Sequence, residues 1–430
     1  MGKRRRHETF INNIFGKVKY MKTLAELQKD YAELIIKAGL NIQKGQRLVL
    51  ACPVSEAFFA RLCAKAAYEA GCKEVIMRWA DDDLARYKYL YAADEVFDSV
   101  NQWEVDMLDT LSIEGAGFLS IYAEDPENLK DVDPDRIKRS QISRGKALEA
   151  FRIRQMRNDC PWCVVSVPTK SWAKAVFPEL GEEEAVLKLW AEILNACRVD
   201  GGDAAANWKA HTEELKRHVD ILNEYNFKSL RYHNAAGTDV TLELPEGHFW
   251  AGGDEKCKAG FMFSANIPTE EVFTLPKRDT VNGKLVATRP LCINGSIVDN
   301  FYFIVKDGKI VEVHAEKGEE VLKNAISVDE GASYFGEVAL VPFDSPIQNS
   351  GVLFLNTLFD ENASCHFAFG EAYPCIHGSE NMNDDELKAL GVNYSMTHED
   401  FMVGSADLSI IGTTHDGREV EIFRDGNFTF

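Results

Sequence analysis

Two short segments in the C-terminal half of the chain contain most of the side chains that proteins use to bind a divalent cation. Residues 361–373 include His366 and Tyr373, and about thirty residues later the chain reads His398-Glu399-Asp400. Imidazole, phenol and carboxylate groups are the ligands expected around Zn²⁺, Co²⁺ or Mn²⁺. The sequence therefore predicts a metal site in this half, and with it the chemistry of a hydrolase.

The spacing of these residues fits a site built on β-strands. His398 and Asp400 are two residues apart, and residues i and i+2 of a strand point to the same face, so imidazole and carboxylate converge while the glutamate between them turns away. His366 and Tyr373 come within reach of one another if a strand and a tight turn at Gly370 separate them. Taken alone, a His-x-Asp pair is more often a surface hydrogen-bonded pair, and one histidine is more often a core residue.

Three further acids stand in apolar surroundings. Glu337 lies in residues 335–342, which otherwise have the composition of a buried strand. Isolated carboxylates are rarely buried unless they are paired or bound to metal. Glu270 and Glu271 are adjacent, so on a strand they face opposite ways and at most one of them enters a site. The spacing alone does not distinguish the two.

Composition limits the class of protein. A chain of 430 residues has room for two or three domains, and its hydrophobic and charged fractions of 45% and 27% are those of an ordinary globular protein. No apolar run reaches the roughly eighteen residues of a transmembrane helix, so no membrane span is predicted. The formal charge of −20 argues against a nucleic-acid partner, because phosphate recognition needs a basic face.

The cysteines predict a reducing environment. There are ten of them without a regular framework, which fits a cytoplasmic protein with free thiols. Cys160 and Cys163 have the CxxC spacing of a redox or zinc motif. However, an apolar run follows them and no second pair completes four ligands, which favours free cysteines at the start of a strand.

The first twenty residues are basic and carry three consecutive arginines at positions 4–6. They lack the continuous apolar core of a secretory signal. A capping-box pattern begins at Thr23 with Glu26 three residues later, followed by an apolar stripe at helical spacing. We therefore interpret residues 1–20 as an N-terminal extension or an alternative translation start, and Met21 as the start of the folded chain.

The rest of the N-terminal half alternates short apolar strands with amphipathic helices. Strand-like runs occur at residues 47–51, 74–77, 118–121 and 164–167. This alternation predicts an α/β domain over residues 21–228 with a mostly parallel sheet. Its last part, a polar helical stretch from Glu182 to Asn223, is expected to connect to the next domain. No GxGxxG follows the first strand, so dinucleotide binding is not supported.

From about residue 229 the pattern changes to that of antiparallel sheets. The dipeptides Asn282-Gly283, Asn294-Gly295 and Asp307-Gly308 recur at a spacing of roughly twelve residues, and each suits the type I′ turn of a hairpin. We predict a β-rich α+β domain over residues 229–430. Because it contains every candidate ligand, this is the expected catalytic domain.

Four motifs in this half resemble those of a known family when taken in order. They are Asn266-Ile267-Pro268-Thr269-Glu270-Glu271-Val272-Phe273-Thr274, Gly336-Glu337-Val338-Ala339, Asp360-Glu361-Asn362-Ala363-Ser364-x-His366 and His398-x-Asp400-Phe401-Met402-x-Gly404. The set is similar to that of the M29 metallo-aminopeptidases, the thermophilic or aminopeptidase T type. Mapped through the motifs, the resemblance implies six metal ligands: Glu271, Glu337, His366, Tyr373, His398 and Asp400. It also favours Glu271 over Glu270 and implies a homodimer.

The implied ligand set suggests a mechanism. One catalytic zinc normally takes three or four protein ligands, so six suit a pair of ions about 3.5–4 Å apart with one carboxylate, here expected to be Glu337, between them. A water bridged by the two cations would attack the peptide bond, and the cations would also hold the free α-amine of a small peptide substrate. Tyr373 is expected to act as a ligand or to stabilise the oxyanion. Glu270 and Glu361 are candidates for a separate general base.

Two other functions use the same residues. His366, His398 and Asp400 could form the facial triad of a mononuclear non-haem Fe(II) oxygenase, but this leaves Glu271, Glu337 and Tyr373 without a role. In the third hypothesis an α/β scaffold binds metal only for stability. A closed structural zinc site normally contains cysteine, and none of the six residues is one. The metallo-aminopeptidase is therefore the favoured hypothesis.

Overall fold

The chain forms two compact units. The computed structural model describes residues 22–123, 125–199, 201–293 and 296–430. The first unit comprises the described residues up to His211 together with 254–268, and the second comprises 212–253 and 269–430. The division thus lies before the sequence-based boundary at 228/229. Segment 254–268 groups with the first unit because its strand Asn266–Ile267 pairs in parallel with Trp162–Val165. Residues 1–20, interpreted above as an extension, lie outside the described residues.

The first unit has the predicted α/β architecture. With strands numbered along the whole chain, its main sheet has the order β10-β4-β3-β1-β2, and all four pairings are parallel. Its strands are β1 (Arg47–Pro53), β2 (Glu74–Ala80), β3 (Gly117–Ile121), β4 (Trp162–Val165) and β10 (Asn266–Ile267), with β8 (Glu255–Lys256) and β9 (Met262–Phe263) forming a separate pair.

In the described part of the chain, nine α-helices occur between residue 22 and Tyr225. The last of them contains the division between the two units. They are Leu24–Leu34, Ala57–Glu69, Asp82–Tyr91, Gln102–Ile113, Pro134–Ala147, Glu149–Met156, Lys170–Val176, Glu182–Ala196 and Ala204–Tyr225. The predicted capping box is present, because the amide of Glu26 donates to the Thr23 hydroxyl at 3.3 Å and the amide of Thr23 donates to the Glu26 carboxylate at 2.7 Å. No described helix combines the length and the apolar character needed to cross a bilayer.

All ten cysteines are free, including Cys160 and Cys163, and nine of them are buried. Cys163 lies in strand β4, and Cys160 is two residues before the first residue of that strand, as the sequence predicted. The CxxC spacing therefore reflects the start of a buried strand.

The second unit contains two antiparallel sheets. The larger has the order β13-β14-β12-β6-β5-β19-β20-β21, with β15 also pairing with β14, and the smaller has the order β18-β17-β16-β11-β7. The larger sheet consists of β5 (Phe227–His233), β6 (Asp239–Glu243), β12 (Asn282–Val286), β13 (Leu291–Ile293), β14 (Ser296–Lys306), β15 (Lys309–Lys317), β19 (Ser409–Thr414), β20 (Glu419–Arg424) and β21 (Asn427–Phe428). The smaller consists of β7 (Ala251–Gly252), β11 (Val272–Thr274), β16 (Phe335–Leu340), β17 (His366–Gly370) and β18 (His398–Met402). The α-helices that lie wholly in this unit are Glu319–Ala325, Pro346–Ser350, Thr357–Asp360 and Asp384–Leu390.

A cluster of phenylalanines joins the two sheets of the second unit. Phe303 of β14 contacts Phe401 of β18 edge to face, with ring centroids 5.1 Å apart, and also contacts Phe335 and Phe369. All four rings are fully buried. One face of the smaller sheet is thus fixed against the larger sheet by apolar burial and aromatic contacts. The phenylalanine cluster does not occupy the opposite face of the smaller sheet.

The three dipeptides predicted as hairpin turns have different outcomes. Asp307 and Gly308 have φ values of 49° and 78° and join β14 to β15, as predicted. The prediction for Asn282-Gly283 was wrong, because both residues lie inside strand β12. A Cβ on Gly283 would lie 2.1 Å from the Asp239 carbonyl oxygen, so the glycine serves a close strand approach and not a turn. Asn294-Gly295 lies outside the described residues.

Candidate metal centre

The smaller sheet of the second unit carries the candidate ligands. Glu337 is on β16, His366 is on β17, and His398 and Asp400 are on β18, while Glu271 directly precedes β11. The four strands are neighbours in the order β18-β17-β16-β11. Residues separated by up to 129 positions in sequence are therefore brought together by strand pairing alone.

Strand register places the ligands on one face. Ala368 is opposite Glu337 on one side and Asp400 on the other, while His366 is opposite Ala339 and Met402. Residues that are directly opposite in a ladder share a face. The sequence His366-Phe-Ala-Phe-Gly370 of β17 therefore alternates between this face and the phenylalanine cluster on the other. Ala339 and Ala368 contribute only methyl groups, which leaves space between the ligands.

The imidazole and carboxylate groups lie close together. The distances from His366 Nε2 are 3.0 Å to Glu271 Oε2, 3.6 Å to Glu337 Oε1 and 4.0 Å to Asp400 Oδ1. The distances from His398 Nε2 are 3.4 Å to Asp400 Oδ1 and 3.7 Å to Glu337 Oε2. All except His398 are buried, and His398 is half-buried. The predicted convergence of His398 and Asp400 is present.

These five residues form two overlapping groups. Glu271, Glu337 and His366 offer ligand atoms that all lie within 4.8 Å of one another, and so do Glu337, His398 and Asp400. Glu337 belongs to both groups and directs one carboxylate oxygen towards each imidazole. The carboxylate of Glu337 thus stands between two sets of potential ligands.

Hydrogen bonds to the backbone orient both imidazoles. His398 Nδ1 lies 2.7 Å from the carbonyl oxygen of Glu371, and His366 Nδ1 lies 3.3 Å from that of Ser364. A carbonyl can only accept, so Nδ1 carries the hydrogen in each ring. Nε2 of each ring faces the carboxylates, and in the neutral ring it offers a lone pair to a metal. This is the usual arrangement of a histidine that binds metal through one nitrogen.

The remaining candidates lie around this cluster. The ring of Tyr373 packs edge-on against the imidazole of His398, with centroids 5.4 Å apart. Glu270 is buried, and its backbone amide donates to Asn362 Oδ1 at 2.6 Å. Glu361 begins the 3-10 turn Glu361–Ala363, and its carboxyl is close enough to the cluster to interact electrostatically with Asp400 and Glu271.

Burial and mutual repulsion shift the protonation of these groups. Burial raises the pKa of Glu337 to about 7 against the effect of its hydrogen bond to His366. Burial also raises the pKa of Glu361 well above its usual range, and the charges of Asp400 and Glu271 raise it further. Burial alone would lower the pKa of His398, but Asp400 and Glu337 outweigh it and raise that pKa to about 10. Without cations, protons must neutralise this crowded set of carboxylates.

The cluster has the properties of a cation site. Asp400 Oδ1 is buried and accepts no hydrogen bond from the part of the chain that the structure describes. A buried carboxylate oxygen without a donor is costly unless a cation neutralises it. The available groups are carboxylates, imidazoles and a nearby phenol without cysteine, which suits a catalytic divalent ion. The residues present therefore fit a metal.

Sequence reasoning did not identify the polar residues that support the strand carrying His398. Asp329 accepts hydrogen bonds from the Ser395 hydroxyl at 2.8 Å and from the Met396 amide at 2.6 Å. Asn393 Nδ2 donates to the carbonyl of Gly370 at the end of β17. Such contacts depend on tertiary placement, and the sequence pattern carries no signal for them.

Comparison with known proteins gives the family. The sequence profile described as Thermophilic metalloprotease (M29) matches residues 24–428. The chain belongs to the M29 family. A relative from Geobacillus stearothermophilus named Aminopeptidase 2 is 46% identical over 406 residues, which are 94% of this chain and 98% of the relative. The solved structure of wild-type AmpT from Thermus thermophilus matches with a TM-score of 0.88 and 37% identity, covering 95% of this chain and all of that one.

Membership of the M29 family confirms the resemblance seen in the four motifs and makes the chain a metal-dependent aminopeptidase. It disfavours the Fe(II) oxygenase hypothesis. A 2,5-dihydroxypyridine dioxygenase from Pseudomonas putida KT2440 also matches, with a TM-score of 0.53 and 12% identity over 95% of this chain and 98% of that one. At that level of identity the likeness shows a shared fold and nothing about chemistry.

Proposed function

We propose that this M29 enzyme removes N-terminal residues from small peptides with two divalent cations held by Glu271, Glu337, His366, Tyr373, His398 and Asp400. The observation that carries the proposal is the position of Glu337 between two groups of ligands. One group is completed by Glu271 and His366, and the other by His398 and Asp400. A single ion would leave one of these groups without a role, whereas two ions use both.

Glu337 is the proposed bridge between the two ions. Its Oε1 lies 3.6 Å from His366 Nε2 and its Oε2 lies 3.7 Å from His398 Nε2. One carboxylate in this orientation therefore offers one oxygen to each ligand group. Its position opposite Ala368 keeps bulky side chains away from the carboxylate. Tyr373 lies beside His398 and completes the set, because its phenol can serve as a ligand or donate a hydrogen bond to the developing oxyanion.

When bound, the cations supply an activated water, polarisation of the scissile carbonyl and a site for the lone pair of the substrate's α-amine. We assign the proton transfers to Glu361. Its carboxyl lies beside the cluster but belongs to neither ligand group. Bound cations would offset the charges of Asp400 and Glu271 that raise its pKa, so the ionised carboxylate could take a proton from the attacking water and return it to the leaving amine. Glu270 is the alternative candidate, because it is buried next to the proposed ligand Glu271, and its backbone amide donates to Asn362 Oδ1.

Several finer properties belong to the same proposal. Zn²⁺, Co²⁺ and Mn²⁺ are the proposed ions, because nitrogen and oxygen ligands suit all three. A homodimer is proposed from the family resemblance, and a cytoplasmic location from ten free cysteines. The charge of −20 supports the absence of a nucleic-acid partner, and peptides with a free amino terminus are the proposed substrates.

Hydrolysis of a matched pair of substrates tests the proposal. Leucine arylamide and N-acetyl-leucine arylamide differ only in the free amine, so we expect cleavage of the first and almost none of the second. A chelator should abolish the activity, and adding back Zn²⁺, Co²⁺ or Mn²⁺ should restore it with two ions per chain by elemental analysis. Full activity with one ion per chain would refute the paired-ion proposal, and cleavage of the acetylated substrate would refute the requirement for a free amine.

A further inference from the structure

Asn362 is a buried side-chain amide that belongs to neither ligand group. It lies in the 3-10 turn Glu361–Ala363, directly after the proposed base. Its Oδ1 accepts a hydrogen bond from the backbone amide of Glu270 at 2.6 Å. Its Nδ2 donates to the carbonyl oxygen of Leu358 at 2.9 Å and to Glu361 Oε1 at 3.4 Å. The oxygen and the nitrogen of this side chain are therefore both hydrogen-bonded.

The chemistry of the neighbours determines which way the Asn362 amide is turned. A backbone amide can only donate, so the atom that faces Glu270 is the oxygen. A carbonyl oxygen can only accept, so the atom that faces Leu358 is the nitrogen. The same nitrogen is within reach of the Glu361 carboxylate. One planar group thus contacts the proposed base with one end and a second segment of the chain with the other.

We propose that Asn362 is a positioning residue that holds the base Glu361 and the segment carrying the ligand Glu271 in one fixed geometry. The inference rests on the proposed function, in which Glu361 transfers the proton and Glu271 binds a cation. Glu270, whose amide is held by Asn362, immediately precedes Glu271, and Glu271 Oε2 lies 3.0 Å from His366 Nε2. The Asn362 side chain therefore connects the base to a residue next to the ligand cluster.

Proton transfer depends on where the carboxylate of Glu361 lies. A general base must be within hydrogen-bond reach of the proton that it takes, whereas an unrestrained glutamate side chain turns about several bonds. The contact from Asn362 Nδ2 to Oε1 restricts that rotation. Because Asn362 also holds the Glu270 amide, the base is fixed relative to the ligand cluster.

A second buried side chain anchors the same turn in a different way. The Ser345 hydroxyl donates to the carbonyl oxygen of Ala363 at 3.3 Å and accepts from the Gln348 amide at 3.1 Å. Ser345 is buried, as Asn362 is. These two hydrogen bonds involve neither the base nor the segment that carries Glu271. Ser345 therefore provides a control for a contact that only stabilises the turn.

A double-mutant cycle tests the contact with the base. Asn362→Leu keeps the approximate size of the side chain and removes both hydrogen-bonding ends. With saturating Co²⁺, kcat for leucine arylamide should fall by about 10²-fold and KM should stay within about 3-fold. In the Glu361→Gln background the same substitution should lower kcat by less than about 10-fold, because Asn362 acts through the base. An equal fold loss of kcat in both backgrounds would overturn the inference. A normal kcat in Glu361→Gln alone would instead refute the proton transfer in the proposed function.

Metal affinity tests the contact with the ligand segment and does not depend on turnover. Asn362→Leu removes the acceptor that holds the Glu270 amide, so the dissociation constant for Co²⁺ should rise by about 10-fold or more in competition with a chromophoric chelator. Ser345→Ala is the matched control and should keep wild-type kcat and Co²⁺ affinity. Wild-type Co²⁺ affinity in Asn362→Leu, or an equal weakening in Ser345→Ala, would overturn the inference. A wild-type enzyme that binds no Co²⁺ would refute the proposed function instead. Urea unfolding checks that each variant is folded, and Asn362→Ala carries the same predictions if Asn362→Leu does not fold.

Discussion

At the scale of single residues, position relative to the sheet distinguishes acids whose pKa values are shifted alike. Glu337 is buried and Glu399 is partly buried, and burial raises the pKa of each to about 7. Glu337 is on the ligand face, where it approaches both imidazoles. Glu399 is paired with Phe369, whose ring belongs to the phenylalanine cluster on the other face. Similar pKa shifts therefore occur on both faces of the sheet, and only Glu337 approaches the imidazoles.

Glu337→Ala should abolish peptidase activity and leave the fold intact. The variant loses the carboxylate that joins the two ligand groups, and we expect a fall in kcat on the order of 10³-fold. Removing a buried acid that is not needed for packing should not lower the unfolding midpoint of the chelated protein in urea. Glu399→Gln is the matched control and should retain near-normal turnover. Near-normal turnover in Glu337→Ala would instead mean that this acid is only a paired core residue.

Glu361→Gln should separate proton transfer from metal binding. The amide keeps the size of the side chain but cannot accept a proton, so kcat should fall by about 10²- to 10⁴-fold. The metal content should be unchanged, because Glu361 belongs to neither ligand group. The pH profile of the residual activity should also lose one ionisation. A variant with normal kcat, or with its metal lost, would be inconsistent with a proton-transfer role.

At the scale of elements, the sequence predicts what depends on local spacing and misses what depends on pairing. The period of two in His398-x-Asp400 predicted a shared face, and Asp307-Gly308 predicted a hairpin, because each is settled within a few residues. The order β18-β17-β16-β11, which brings Glu337 between the imidazoles, is a long-range property. Gly283 shows the same limit, because its close neighbour is Asp239 in another strand.

The methyl groups on the ligand face give a prediction at this scale. Ala368 lies between Glu337 and Asp400 and is fully buried, so Ala368→Leu should push bulk into the space between the ligand groups. We expect loss of metal measured by elemental analysis, with a loss of stability of about 1–3 kcal/mol from overpacking. Phe369→Leu, on the opposite face of the same strand, should cost stability by urea denaturation but keep the metal. Retention of both metal and activity in Ala368→Leu would show that the face is not crowded by ligands.

At the scale of the whole molecule, the metal centre links stability to pH. The chain carries 68 acidic against 48 basic residues, and its second unit concentrates several of the acids around two histidines. Burial would lower the pKa of both His366 and His398, but the surrounding carboxylates raise both above 6.5. In the metal-free protein the folded state therefore holds protons that the unfolded chain has released. Cations and protons compete for the same nitrogens.

The metal-free enzyme should become less stable as pH rises from 7 to 8, and the metal-loaded enzyme much less so. Between about pH 6.5 and pH 10, the folded chain binds more protons at His398 than the unfolded chain does. The free energy of unfolding therefore falls as pH rises, by up to about 1.4 kcal/mol per pH unit for each such group. Bound cations keep both imidazoles neutral and so remove the contribution of the two histidines to this pH dependence. Buried thiols add the same slope to both forms, so the quantity to measure is the difference between chelated and metal-loaded protein in urea denaturation at each pH. The control variant His415→Gln alters an exposed histidine and should leave that difference unchanged. If the free energy of unfolding falls equally steeply with pH in the chelated and the metal-loaded protein, the two buried histidines do not exchange protons for metal.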